Sequence, residues 1–120
     1  MNITPETLDE RFSSLSARLD QALVELRGAI QTESEAERIY TVAKANAYLA
    51  AEGKTAADRS AVTDKIVAAE RERAHMTAGM TKAAFETVRG LREQMSNLRT
   101  VAQAQRSADF AQSNWSKENA

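Results

Sequence analysis

Apolar residues recur at steps of three and four along most of this chain, and few residues that break helices interrupt them. The chain has 120 residues with one proline and four glycines. Steps of three and four place side chains on one side of a helix. The first apolar stripe, which weakens through residues 32–40, comprises Leu8, Phe12, Leu15, Leu19, Leu23, Leu26, Ile30, Tyr40, Ala43 and Ala47. It predicts a first helix over about residues 5–52.

A second stripe follows Gly53 and predicts a second helix over about residues 56–110, with a flexible tail over 111–120. Its members are Val62, Ile66, Ala69, Arg73, Met76, Met80, Ala84, Val88, Leu91, Met95, Leu98 and Ala102. Extra steps of four between Met80 and Val88 predict a stutter, which locally relaxes a left-handed supercoil.

The tripeptide Gly-Lys-Thr at 53–55 matches the end of a phosphate-binding P-loop, but its surroundings do not. A P-loop needs a glycine five positions earlier, between a strand and a helix, and Tyr48 stands there. We interpret Gly53 as the left-handed residue that ends the first helix. Thr55 then caps the second helix in a capping-box variant with Asp58, and Thr4 caps the first.

Composition supports a single all-α domain. The chain lacks cysteine and contains 5% aromatic and 28% charged residues. Alanine, leucine, glutamate, glutamine and arginine favour helix. No apolar run is long enough to span a membrane, and no secretory signal is visible, so we expect a cytoplasmic protein. Residues 1–53 carry five Lys/Arg against nine Asp/Glu, whereas residues 54–120 carry eleven against eight.

The short turn predicts two antiparallel helices in a coiled-coil-like hairpin. With the fold point near residues 53 and 54, the numbers of facing residues add up to about 107. Leu8 then lies near Leu98, and Phe12 lies opposite Met95. Because a lone long hairpin buries one narrow stripe per helix, we expect a homodimer or a higher bundle.

Two sets of polar residues on the second helix have competing interpretations. Glu72 and His75 form a Glu-x-x-His motif, as in di-iron bundles, but both point away from the predicted core, which favours a solvated face over a metal site. Arg73 occupies a predicted core position opposite Glu33 and Glu37. Such a polar layer would set helix register and oligomeric state.

A row of basic residues follows one side of the second helix: Lys82, Arg89, Arg92, Arg99 and Arg106. Guanidinium groups in a row bind phosphates or pair with an acidic partner helix, and without interleaved aromatics the protein partner is favoured. Phe110 and Trp115 near the C-terminus form a docking segment or fold back onto the bundle. With one histidine, no cysteine and no acid pairs on strands, we expect no enzyme, cofactor or small-molecule substrate.

Residues 43–64, AKANAYLAAEGKTAADRSAVTD, and 91–107, LREQMSNLRTVAQAQRS, resemble segments of small helical-hairpin proteins of tailed bacteriophages. The resemblance covers about residues 40–110. It implies an accessory role in phage DNA replication or recombination, or in host takeover, within the host cytoplasm. The partner would be a host or phage protein. Nucleic-acid binding through the arginine row and a structural role in the virion are the alternatives.

Overall fold

The computed structural model describes residues 5–53 and 55–118, and it contains three helices and no strand in that part of the chain. Helix α1 spans Pro5–Ala50, α2 spans Ala56–Ile66 and α3 spans Ala68–Glu118. The all-α class is as predicted. The proposed N-cap Thr4 lies outside the described residues.

A strict seven-residue repeat places one row of side chains of each helix inward. We write the repeat as a to g, with the inward residues at a and d. All a and d residues between 8 and 47 in α1, and between 63 and 105 in α2 and α3, are buried or half-buried. The spacing alternates four and three without exception, which gives the helices a coiled-coil-like character.

This inward row corrects the predicted stripes. In α1, Ala22 and Ala29 take the inward positions that Leu23 and Ile30 were expected to hold. In α2 and α3, the predicted residues from 66 to 80 are exposed: Ile66, Ala69, Arg73, Met76 and Met80. Their inward places are taken by Val67, Glu70, Ala74, Thr77 and Thr81. The true row needs no extra step, so the predicted stutter is wrong.

Three threonines stand on the inward row, and two of them satisfy their hydroxyl groups within their own helix. Thr77 Oγ1 donates to the backbone oxygens of Arg73 and Ala74, both at 2.9 Å, and Thr81 Oγ1 donates to that of Thr77 at 3.1 Å. Such bonds to preceding carbonyls let a hydroxyl lie inside. Thr63 differs, because its buried Oγ1 has no hydrogen-bond partner among the described residues.

A single residue, Val67, separates α2 from α3. Its φ and ψ are −99° and 17°, outside the helical range. Its N–H nevertheless donates to Thr63 O at 3.0 Å, and its carbonyl accepts from Arg71 N at 2.9 Å. The predicted second helix is therefore interrupted once, with the inward row intact. At its far end α3 extends to Glu118, beyond the predicted end of the second helix near residue 110.

The described residues divide into two compact units. Unit 1 comprises residues 5–22 and 87–118, and unit 2 comprises residues 23–53 and 55–86. In unit 1, Leu8, Leu98 and Ala102 form a buried cluster against which Phe12 and Leu15 pack. The predicted closeness of Leu8 and Leu98 is found. In unit 2 the inward side chains are smaller, and Ala36, Ala47 and Ala74 are all buried.

Candidate interaction surfaces

Gly53 and Thr55 lie between the end of α1 at Ala50 and the start of α2 at Ala56. Gly53 has a φ of +89°, the left-handed conformation that glycine adopts without strain. Thr55 caps α2, because its Oγ1 accepts a 3.3 Å hydrogen bond from the backbone N–H of Asp58. A helix therefore precedes the turn, where a P-loop would have a strand.

The basic row lies on the exposed surface of α3. Lys82 belongs to unit 2, whereas Arg89, Arg92, Arg99 and Arg106 belong to unit 1, and all five are exposed. Arg92, Arg99 and Arg106 occupy three successive e positions, about 10.5 Å apart at 1.5 Å per residue. These three form no ion pair with any described residue. Their charges are available to a partner.

The predicted polar layer is not formed. Arg73 is exposed, and the neighbouring Ala74 takes the inward position with 6% of its surface accessible. Glu33 is half-buried on the inward row of α1, but Glu37 is exposed. The repeat places Arg73 at g, so its side chain lies at the edge of the row. Arg73 was predicted to lie in the core because the predicted stripe is displaced by one residue from the observed inward row.

The Glu-x-x-His motif and the two C-terminal aromatics are also on the surface. Glu72 and His75 are exposed, and no group of three potential metal ligands occurs among the residues that the structure describes.

Phe110 and Trp115 are 68% and 66% exposed, so neither is folded back into a core. Five residues apart on one helix, they differ by about 140° in direction, so they do not form one docking face.

Unit 2 carries a second row of exposed apolar side chains, of which Met76 and Met80 were predicted to lie inward and those on α1 were absent from the predicted stripes. On α1, Ile39, Val42 and Leu49 are exposed at g and c positions, and on α3 Met76 and Met80 are exposed at c and g. Positions c and g lie on the same side of a heptad helix. Thr32, also at g, lines a groove with Met80, so the c and g sides of the two helices adjoin there. Once the phase is known, the repeat alone would identify this face.

Unit 1 contains a groove with a different lining. Its volume is about 440 Å³, and α1 contributes Arg11, Ser14, Leu15 and Arg18 to it. Gln94, Asn97, Leu98 and Val101 of α3 line the other side. The floor is apolar, the rim is polar and cationic, and no acidic residue contributes. The predicted and observed inward rows agree here, so sequence reasoning missed this groove because it did not consider the g positions beside the inward row.

No family model matches the chain, and no curated protein or solved structure matches it. Within the described residues, none of the helices has a stretch that is both long and apolar enough to cross a membrane.

Proposed function

We propose that this chain is a non-enzymatic helical hairpin of phage type that assembles with itself and acts by binding another protein. The process would be phage DNA replication or recombination, or host takeover, as the bacteriophage resemblance of residues 40–110 implies. The continuous heptad rows and the turn at Gly53 support the hairpin. The observation that carries the proposal is the exposed apolar face of unit 2.

That apolar face explains why self-association is favoured. Val42 is 49% exposed, Leu49 68%, and Met76 and Met80 are 59% and 58% exposed. Exposed apolar side chains aligned on one side of the helices favour an interaction surface when a partner covers them together. Helices that carry a second apolar row in the heptad repeat form assemblies of more than two helices, because burial of both rows requires more than one neighbouring helix. A second copy of the chain carries the same apolar face, so contact between the two faces removes both from water.

Multi-angle light scattering tests the assembly. The native chain should be a dimer or larger at micromolar concentration, and Val42→Glu with Met80→Glu should convert it to a monomer that remains helical. Ala45→Glu is the matched control, because Ala45 is exposed at f, away from the apolar face. A native monomer, or equal disruption by the control, would contradict the proposal.

The partner contact is proposed for the three arginines at e. In coiled coils the e and g positions carry the charges that choose a partner helix. Replacing Arg92, Arg99 and Arg106 with glutamine should abolish capture of the partner protein from infected cells, with helix content and assembly unchanged. The variant Arg27→Gln, which removes a charge from α1 instead, serves as the control.

Nucleic-acid binding is the second candidate function, and the spacing of the same three arginines favours it. Unpaired guanidinium groups at regular intervals on an exposed helix can contact successive phosphates. This function predicts that affinity for single-stranded DNA falls with salt by about 0.7 log units per log unit of salt for each phosphate contacted. The triple glutamine variant should lose both the affinity and its salt dependence. If the native chain binds single-stranded DNA only weakly at physiological salt, the result favours a protein partner over nucleic acid.

A further inference from the structure

We propose that the groove of unit 1 is a docking site for an acidic amphipathic helix of a partner protein. The site is separate from the apolar face of unit 2 and from the arginine row, so it does not rest on the function proposed above. Three properties of the groove carry the inference: its unpaired cations, its apolar floor and the spacing of its charges.

The cations of the groove have no counter-ion in the described chain. Arg11 and Arg18 stand at g positions of α1, where neighbouring helices usually exchange complementary charges. The g positions that line the other side of this groove hold Gln94 and Val101, which are uncharged. Neither arginine forms an ion pair with a described residue. Two positive charges therefore border the groove without neutralisation.

The apolar residues at the bottom of the groove make a simple anion a poor ligand. Leu15 and Val101 are partly exposed within the groove, and Leu98 lies beneath them with 7% accessibility. Inorganic phosphate or a nucleic-acid backbone would leave this floor uncovered, and no aromatic side chain lines the groove for base stacking. An apolar stripe on a helix would cover the floor in the way that amphipathic helices fill grooves.

The spacing of the charges fits a helix in particular. Arg11 and Arg18 are seven residues apart, or about 10.5 Å along α1. Carboxylates seven residues apart on a partner helix have the same separation, so both ion pairs can form while the stripe between them lies on Leu15, Leu98 and Val101. Ser14, Gln94 and Asn97 add neutral donors and acceptors along the rim.

The test uses the full chain and a fluorescently labelled synthetic helix of about 18 residues, long enough to fold on contact. Its leucines form one stripe, flanked by glutamates seven residues apart. We expect measurable binding below about 100 µM by fluorescence anisotropy. A matched peptide with lysine in place of glutamate should not bind. The doubly substituted chain R11Q/R18Q should lose about tenfold or more in affinity, and Val101→Gln should weaken binding as well.

The control variant R27Q/R71Q removes the same charge from exposed positions outside the groove and should bind the acidic peptide like the native chain. The proposal is overturned if the acidic peptide does not bind, if the lysine peptide binds equally, or if R27Q/R71Q loses as much affinity as R11Q/R18Q. Displacement of the peptide by single-stranded DNA would assign the groove to nucleic acid instead. A smaller oligomer for R11Q/R18Q in light scattering would assign it to a second copy of this chain.

Discussion

The guanidinium group of Arg59 lies over the ring of Tyr48, with Cζ 4.4 Å from the ring centroid. The same group donates a 3.3 Å hydrogen bond from Nη2 to the backbone oxygen of Tyr48. One side chain of α2 thereby holds both the ring and the backbone of the last turn of α1. The Tyr48 oxygen also accepts a 3.3 Å bond from the backbone N–H of Ala51, so Arg59 adds a second donor at the end of α1.

This contact should be measurable as a coupling energy. A double-mutant cycle of Tyr48→Ala and Arg59→Ala should give about 1 kcal/mol of interaction in chemical denaturation, since a half-buried cation over an aromatic ring contributes about that much. Lys44 and Tyr40 are the internal comparison, because Nζ is 5.9 Å from the ring centroid and the pair is within one helix. Their coupling should be smaller. Equal couplings would show that the shorter ring contact of Arg59 contributes no more than the contact between Lys44 and Tyr40.

Replacement of Gly53 tests the conformation of the turn. Gly53→Val should lower the free energy of unfolding by about 1 kcal/mol or more, because a Cβ is disfavoured at a φ of +89°. Apart from its two chain neighbours, no described residue has an atom within 4 Å of the added Cβ, so the cost comes from the backbone conformation. Gly79 is the matched control, since it lies inside α3 with equal space around it. Gly79→Ala should raise stability by about 0.5–1 kcal/mol.

The buried hydroxyl of Thr63 predicts a stabilising substitution. Thr63 is 1% exposed, and its Oγ1 forms no hydrogen bond with any residue that the structure describes. Valine has nearly the same shape without the unsatisfied group, so Thr63→Val should raise the free energy of unfolding by about 1 kcal/mol or more. Thr77→Val should give a smaller gain, because the Thr77 hydroxyl is already bonded to two backbone oxygens. Thermal and urea unfolding of both variants would compare them, and a larger gain at Thr77 would refute the argument.

Replacing a small inward residue of unit 2 with a larger one should lower the free energy of unfolding. Ala36 is 1% exposed at a d position. Ala36→Leu should destabilise the fold by about 1–3 kcal/mol, because the extra methylene groups overpack a closed interior. Ala45→Leu makes the same chemical change at an exposed f position and should be nearly neutral. If both variants unfold alike, the inward row has been assigned to the wrong residues.

Part of the fold followed from the sequence because a few residues gave strong signals. Leu8, Phe12, Leu15 and Leu98 are large and apolar, and their inward positions matched the predicted stripes. Gly53 and Thr55 marked the turn because few other residue types suit a left-handed end and an N-cap. The helical class followed from the near absence of proline and glycine.

The middle of each helix was misread for one physical reason. Alanine and threonine bury little apolar surface, so Ala22, Ala74 and Thr77 contribute weakly to any hydrophobic pattern. The larger Leu23, Met76 and Met80 stand beside them and dominated the stripe, although they face outward or lie at its edge. A search for a strict alternation of four and three, regardless of residue size, would have found the inward row. The apolar face of unit 2 depends on that phase, whereas the groove with Arg11 and Arg18 lies where the predicted row was already correct.

The unbroken heptad also governs how a chain like this can change in length during evolution. A single inserted or deleted residue turns everything beyond it by about 100° around the helix, moving buried alanines to the surface and arginines into the interior. Seven residues restore the phase to within about 20°. Descendants of this sequence can therefore lengthen or shorten their helices in steps of seven, whereas the surface chemistry at the outer positions is free to diverge one substitution at a time.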